Sequence, residues 1–387
     1  MDELKKWRRT FPNELLQEIN TEYDLFSKLL NINEDSFEEL ERIFEQSIFA
    51  SSREKMSQFV TDFLLSVKFR PENIEIYSNF TKLYVRNGKN SDMIASFKEL
   101  MHRALFCSES VKTAHVVFLY QCMLVGVFDM KEIAAWILEY EKVFPTATNQ
   151  LLLYFAWFLP EFEADYESDF ERLLAMLRRT NEPILKSLEA ELEYLRQDDW
   201  REYKTARASA FNDRRIAQIL RTDNVSELEK MFSLEHYDLE SEIEPSFFER
   251  EGFLQHRPKC VHLAAYYGSE KCFEYLVDHH VALETFDKSG NATAVFAAVG
   301  SDAEILRKLR DLGTDFTTAL PIAALFHNND TYEWLQSFVD QEKFMKLRYL
   351  VLQKAVISNN IPICVKLLEE GINFNEVNVL FEVIKFS

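Results

Sequence analysis

The chain has 387 residues, and its 64 aspartates and glutamates outnumber its 44 lysines and arginines, which gives a formal net charge of −20. This charge repels phosphate backbones and anionic lipids, so we expect neither nucleic acid nor a membrane as a partner. Hydrophobic residues make up 47% of the chain and only eight residues are glycine, which argues against disorder and against enzymes with glycine-rich phosphate loops.

Apolar residues recur at helical spacing almost throughout residues 1–205. Pro71 predicts the first turn of a helix that stops at Gly88, and Asp129 predicts the N-cap of another helix. In an earlier segment a glutamate-rich face lies opposite an apolar stripe, which consists of Phe37, Leu40, Ile43, Phe44 and Ile48. We therefore expect an all-helical N-terminal domain.

A faint repeat runs through this N-terminal part. Phe59, Phe97 and Trp136 lie 38 and 39 residues apart in similar local sequences. One helical hairpin in each interval would form a stacked α-solenoid. An irregular helical-hairpin bundle explains the same residues equally well. The sequence leaves these two arrangements open.

A different period begins near residue 214. Leu263-Ala264-Ala265 is matched 33 residues later by Phe296-Ala297-Ala298. The longer segment 262–268 resembles the inner helix and turn of an ankyrin repeat, whose period is also 33 residues, and residues 363–375 resemble a last copy of that repeat. The C-terminal half is therefore similar to ankyrin repeat proteins and, more loosely, to the large ankyrin families of some single-celled eukaryotes.

The resemblance implies an all-α chain in which an N-terminal helical domain, 1–205, precedes an ankyrin repeat stack, 206–387. Each ankyrin repeat contributes two antiparallel helices that share a core with their neighbours. The Thr-Pro pair that usually opens the inner helix is absent, so we expect repeats less stable than consensus ones. The implied repeats span approximately 214–253, 254–286, 287–318, 319–344 and 345–378.

The sequence contains no recognisable catalytic or metal-binding constellation. Cys260 and His262 are the closest thiol and imidazole, but two residues apart on one helix they point to opposite sides, and the resemblance makes His262 a structural residue. The acidic residues between Glu161 and Glu171 have no histidine or calcium-loop glycine nearby, so we expect a solvated loop and helix start. We expect a non-enzymatic protein with no metal site and no cofactor.

The five cysteines are scattered without a C-x-x-C pair, which favours a reducing compartment. The longest apolar stretch, Val116 to Phe128, is shorter than the roughly 20 residues that a membrane span needs. The residues after Met1 include no apolar run, so we expect no signal peptide. These features favour a cytoplasmic protein, or a nuclear one.

In ankyrin proteins, partners contact the hairpin tips and the exposed edges of the inner helices. Aromatic residues grouped there are typical of a binding hot spot, although Phe286, Leu325 and Phe326 would also fit a role in packing within the stack. Phe247 and Phe248 would either contact a partner as a second anchor or fill the interior of a long acidic insertion. The residues implied to contact a partner are Tyr266, Tyr267, Phe286, Lys288, Ser289, Asn291, Val299, Leu325 and Phe326.

We therefore expect a scaffold or protein–protein interaction protein that binds an unidentified partner protein through the concave face of its repeats. In one alternative, the N-terminal domain is a regulatory or catalytic helical domain and the repeats target it. In a third interpretation, the N-terminal half folds over the concave face and has a purely structural role. The sequence identifies neither the partner nor the oligomeric state.

Overall fold

The computed structural model describes residues 13–50, 52–88, 90–106 and 112–372. Over these ranges the chain forms 22 α-helices, and its β-structure is limited to two isolated antiparallel bridges. The predicted all-α class is therefore confirmed. None of the described helices is both long and apolar enough to cross a lipid bilayer.

The chain folds into two compact units. The first unit comprises the described chain up to Phe211 together with Ser246–Gly252, and the second comprises Asn212–Pro245 and the described residues from Phe253 onward. The boundary that the sequence suggests, between residues 205 and 206, lies inside the helix Gln197–Ser209. The two units separate instead between Phe211 and Asn212, six residues later. A segment from the later sequence thus completes the earlier unit.

The first unit has twelve helices among its described residues. They are α1 (Asn13–Leu30), α2 (Phe37–Gln46), α3 (Arg53–Phe69), α4 (Ile74–Asn87), α5 (Ser91–Phe106), α6 (Thr113–Leu124), α7 (Met130–Val143), α8 (Thr148–Trp157), α9 (Leu159–Asp165), α10 (Glu167–Leu177), α11 (Pro183–Leu195) and α12 (Gln197–Ser209). Alternate helices pack together, α3 against α1 and α5, and α4 against α2 and α6. This repeat-like order is typical of successive helical hairpins.

Aromatic side chains fill the core of this unit. The ring of Phe63 is fully buried, and its centroid lies 5.5 Å from that of Tyr77, 5.9 Å from that of Phe80 and 5.6 Å from that of Phe118. The Tyr77 hydroxyl donates a hydrogen bond of 2.9 Å to the carbonyl oxygen of Leu29. The core therefore buries large aromatic rings, and the hydroxyl group of Tyr77 remains hydrogen-bonded.

A buried ion pair joins α12 to α9. The Arg207 side chain is 2% exposed, and its Nη2 lies 2.7 Å from Oε1 of Glu161. Its Nη1 donates to the carbonyl oxygen of Trp157 at 2.5 Å, and its guanidinium lies 4.1 Å from the ring centre of Tyr120. Burial lowers the pKa of Arg207, but the hydrogen bonds to Glu161 together with the electrostatic effects of Tyr203, Glu161 and Tyr120 raise it above its ordinary value. Glu161 lies in the first turn of α9, which agrees with the predicted helix start, but the predicted solvated loop is wrong because its carboxylate pairs with the buried Arg207.

The segment Ser246–Gly252 contributes two phenylalanines to the first unit. Phe247 and Phe248 are 3% and 2% exposed. Their ring centroids lie 5.5 Å and 6.3 Å from that of Trp157, and Phe248 lies 5.2 Å from Tyr203. Their interpretation as a second anchor for a partner is therefore wrong, because both rings fill the core.

Substituting both rings, as Phe247→Ala with Phe248→Ala, should unfold or loosen the first unit. Each truncation of a buried phenylalanine costs about 3–5 kcal/mol, through lost burial and the cavity left behind. Hydrogen exchange followed by mass spectrometry should show lost protection in α8 and α12. Tyr194→Ala is the matched control, since Tyr194 is 58% exposed in the same unit and should leave protection unchanged. Full protection of α8 and α12 in the double variant would contradict the assignment.

The second unit consists of five consecutive helix pairs. The pairs are α13 (Arg215–Arg221) with α14 (Val225–Glu235), α15 (Cys260–Tyr267) with α16 (Glu270–Asp278), α17 (Thr293–Gly300) with α18 (Ala303–Asp311), α19 (Ala319–Leu325) with α20 (Asn329–Gln336), and α21 (Gln341–Ile357) with α22 (Ile361–Glu369). The first helices of the pairs pack in series, α13 against α15, α15 against α17, α17 against α19 and α19 against α21. Each second helix packs against the first helix of its own pair, and α16 also contacts α14 and α18.

In each pair, the turn between the two helices contains one residue with a left-handed backbone conformation, that is, with a positive φ angle. The residue is a glycine once and a non-glycine four times, in the order Asp223, Gly268, Ser301, His327 and Asn359. Polar side chains just after the turns tie successive pairs together. Asn328 donates to the carbonyl oxygen of Val299 at 2.7 Å, and Asn360 donates to that of Ala324 at 2.7 Å. The repeat geometry is thus regular although the turn residue varies.

Candidate functional site

A short hairpin between α16 and α17, here called the finger (residues 284–292), carries four of the nine expected contact residues. An antiparallel bridge pairs Phe286 with Ala292. Between them, the backbone N–H groups of Ser289 and Asn291 donate to Oδ1 of Asp287 at 2.9 Å and 2.8 Å. The carboxylate of Asp287 therefore holds the tip in one conformation.

The finger exposes its residues unequally. Phe286 is 58% exposed although it lies in this ordered turn, and Ser289 is exposed as well. Asn291 is half-buried, and its side chain donates to Asp287 at 2.9 Å. The ammonium group of Lys288 pairs with Glu242. Phe286, Lys288 and Ser289 thus face solvent, whereas the half-buried Asn291 side chain is held by Asp287.

Charged side chains join this finger to the preceding loop. Lys288 donates its backbone N–H to the carbonyl oxygen of His256 at 2.9 Å. Glu242 lies opposite Lys259 in the second antiparallel bridge, and Nζ of Lys259 lies 3.0 Å from Glu240. These pairs are partly exposed, so each contributes at most about 1 kcal/mol. Their main effect is to restrict the position of the finger.

An aromatic cluster covers the first helices of the middle pairs. The ring centroid of Phe253 lies 6.3 Å from that of Tyr266, 4.8 Å from that of Phe296 and 5.6 Å from that of Phe326. Phe326 is consequently 8% exposed, and Tyr266 is half-buried. Phe253 belongs to the same unit, so the unit itself occupies part of the surface expected to receive a partner.

The other expected residues lie at the edge of this cluster. Tyr267 contacts Tyr266, with 5.0 Å between ring centroids at near-perpendicular planes. Tyr267, Val299 and Leu325 are all half-buried. The sequence reasoning missed Phe253. The only signal for it was an aromatic residue inside an acidic insertion, which does not indicate the helices that it would contact.

His262 holds a structural position at the start of α15. The ring is fully buried and stacks on Phe296 with 4.5 Å between centroids. Its Nδ1 accepts from the backbone N–H of Lys259 at 3.1 Å, and its Nε2 lies 3.3 Å from the carbonyl oxygen of Thr285. Nδ1 must therefore be unprotonated and Nε2 must carry the hydrogen. Burial lowers the pKa of His262 to about 4, so the ring is neutral near pH 7.

Nothing in this region resembles a nucleophile with its base. Burial raises the pKa of Cys260 to about 12, with Asp238 and Glu240 adding to the rise, so the thiol remains protonated. Both nitrogens of His262 are engaged by backbone groups. Across the residues that the structure describes, His, Cys, Asp and Glu side chains form no group of three or more that could hold a metal ion.

Comparison with known proteins assigns no family. No protein-family model matches the chain, and no curated protein matches it. The functional argument therefore depends on the geometry of the second unit.

The buried His262 predicts a pH dependence of stability. Its folded pKa of about 4 lies below the ordinary value of 6.5, so the unfolded chain binds the extra proton between these pH values. Stability is complete above about pH 6.5 and falls as the pH decreases toward 4. From pH 7 to pH 5 this one group should cost about 2 kcal/mol, at about 1.4 kcal/mol for each pKa unit.

His262→Gln keeps a polar side chain but cannot gain a proton. Urea titrations at pH 7 and pH 5, followed by circular dichroism, should show the variant to be the less stable protein at pH 7. It should nevertheless lose less stability than the natural chain on acidification. An equal loss in both proteins would contradict a neutral, buried His262.

Proposed function

We propose that the second unit is a stack of five ankyrin repeats and that the protein is a non-enzymatic scaffold that binds a partner protein. The proposal is supported by five helix pairs with one left-handed turn each, and by His262, which joins α15 to the following finger through Thr285. Stacked helix pairs with projecting hairpins commonly serve as recognition surfaces. We also propose a cytoplasmic or nuclear location, since the four described cysteines form no disulfide.

The observation that carries this proposal is the exposure of Phe286 on an ordered finger. A large ring that stays 58% exposed gains apolar burial when a partner covers it. Because Asp287 already restrains the backbone around the ring, binding costs little further conformational entropy. Exposed aromatic residues on restrained backbone are typical hot-spot residues.

The remaining expected residues then divide into two groups. We propose that Ser289, Tyr267, Val299 and Leu325 surround the partner's contact with Phe286. Lys288 and Asn291 act through the position of the finger, because their side chains pair with Glu242 and Asp287. Tyr266 and Phe326 do not contact the partner directly in this proposal. They pack against Phe253, which contacts both rings.

Phe286→Ala should reduce partner capture by the full chain at least about tenfold, since hot-spot truncations cost about 2 kcal/mol or more. Quantitative mass spectrometry of affinity-captured proteins measures this loss. Leu234→Ala is the matched control, because Leu234 is 75% exposed on α14 of the same unit and should leave capture unchanged.

A photo-crosslinking residue at position 286 should attach covalently to the same protein that the substitution loses. The same crosslinker at position 234 should not attach to it. Unchanged capture by Phe286→Ala, together with equal crosslinking from both positions, would reject the finger as the binding site. Circular dichroism of each variant checks that the helices remain folded.

A further inference from the structure

A patch of exposed apolar side chains lies at the ends of α18 and α20 in the second unit. Leu312, which directly follows α18, is 53% exposed, and Phe338, two residues after α20, is 47% exposed. Trp334 is half-buried beside Phe338, with 4.7 Å between the two ring centroids. Exposed apolar side chains in a group commonly mark an interaction surface. The finger includes none of these residues, so the proposed function does not explain the patch.

Contacts between the two helix ends hold the rings of the patch in position. The guanidinium of Arg310, in the last turn of α18, lies 5.5 Å from the ring centroid of Phe338 and 5.9 Å from that of Trp334. Its Nε and Nη2 donate to Asp311 at 2.9 Å and 2.7 Å. The buried ring of Phe316 contacts Trp334 with 6.0 Å between centroids. The patch is therefore one restrained surface that extends over the ends of both helices.

Leu312 and Phe338 occupy equivalent positions in successive helix pairs, because each lies ten residues after the N-cap residue of its helix. Packed helices lie about 8–10 Å apart, and seven residues of an α-helix span about 10.5 Å. One helix laid across the two helix ends can therefore place an apolar residue on Leu312 and another, seven positions later, on Phe338. The equivalent residue is His279 in the preceding pair and Glu370 in the following pair, so the patch covers two pairs.

The chain around the patch is acidic. Residues 311–342 include six aspartates and glutamates but neither lysine nor arginine. Four of these carboxylates pair with basic side chains from outside that segment, which are Arg310, Lys343, Lys346 and Lys366, and two remain in excess. Glu370 adds a carboxylate beside α20, since Gln336 donates to it at 3.4 Å. This charge favours a basic occupant and, in a chain with a net charge of −20, disfavours a second copy of the chain.

We propose that this patch binds a basic amphipathic helix of a partner protein. Apolar residues at positions i and i+7 of that helix cover Leu312 and Phe338, and one at i+4 meets Trp334, because these three positions share one side of a helix. Lysine and arginine residues beside them face the acidic surroundings. Apolar burial stabilises the complex, and the charges exclude acidic helices. The surface is separate from the finger and requires no contact with Phe286.

Fluorescence anisotropy tests the patch with the full chain and a labelled synthetic peptide. The probe is a helical peptide of about 18 residues, built from alanine and lysine with leucine at positions i, i+4 and i+7. It should bind at least about tenfold more tightly than the same peptide with glutamate in place of lysine, because the glutamates would face carboxylates. It should exceed by the same factor a lysine peptide whose leucines are spaced five residues apart, since that spacing distributes them around the helix.

Two double variants locate the binding. Leu312→Ser with Phe338→Ser removes the exposed apolar side chains of the patch and should weaken binding of the lysine peptide at least about tenfold. The matched control, Leu234→Ser with Leu350→Ser, replaces two apolar residues of the same unit that are 75% and 40% exposed, and it should change binding less than about twofold. Circular dichroism should show the helix content of the natural chain in both variants, because all four substitutions are made at exposed residues.

Several outcomes would overturn the proposal. No binding of the lysine peptide at about 1 mM, or equal weakening by the two double variants, would reject the patch as a helix-binding surface. Equal binding of the two lysine peptides would show attraction to the net charge alone, and equal binding of the glutamate peptide would exclude charge recognition. A dimer in sedimentation velocity that Leu312→Ser with Phe338→Ser dissociates would assign the patch to a second copy. Phe286→Ala should leave peptide binding unchanged, and a loss there would move the site to the finger.

Discussion

The second unit depends on the close approach of the first helices of successive pairs. Ala264, Ala297 and Ala324 are fully buried on these helices. At Gly300 the approach is closer still, since a Cβ atom there would clash with the backbone carbonyl of Tyr266. Small side chains permit this spacing, and dispersion contacts then accumulate along the whole series. Larger residues at these positions would separate the pairs and break the continuous core.

The close spacing of the first helices also permits the hydrogen bonds that hold the turns and the finger. When first helices lie this close, the residue after the turn can reach a carbonyl oxygen of the preceding pair, as Ser269, Asn328 and Asn360 do. His262 reaches Thr285 in the following hairpin for the same reason. These bonds satisfy buried polar groups and restrict the hairpin. The exposure of Phe286 is therefore a property of an ordered surface rather than of a loose loop.

The first unit is organised by burial of rings and of one charge. Trp157 lies beside Phe247 and Phe248, and its carbonyl oxygen accepts from Arg207. A buried arginine is tolerated because Glu161 and this carbonyl replace the water that it loses.

The sequence by itself determined the local structure: the helices, the cap at Asp129 and the turn at Gly268. Each depends on residues within one or two turns of helix, so periodicity and residue type suffice. Tertiary structure decided three things, namely that Phe253 covers the expected binding face, that Phe247 and Phe248 complete the first unit, and that Glu161 neutralises Arg207. Those contacts join residues about 40 to 100 positions apart, and their energy exists only after the chain has brought the partners together.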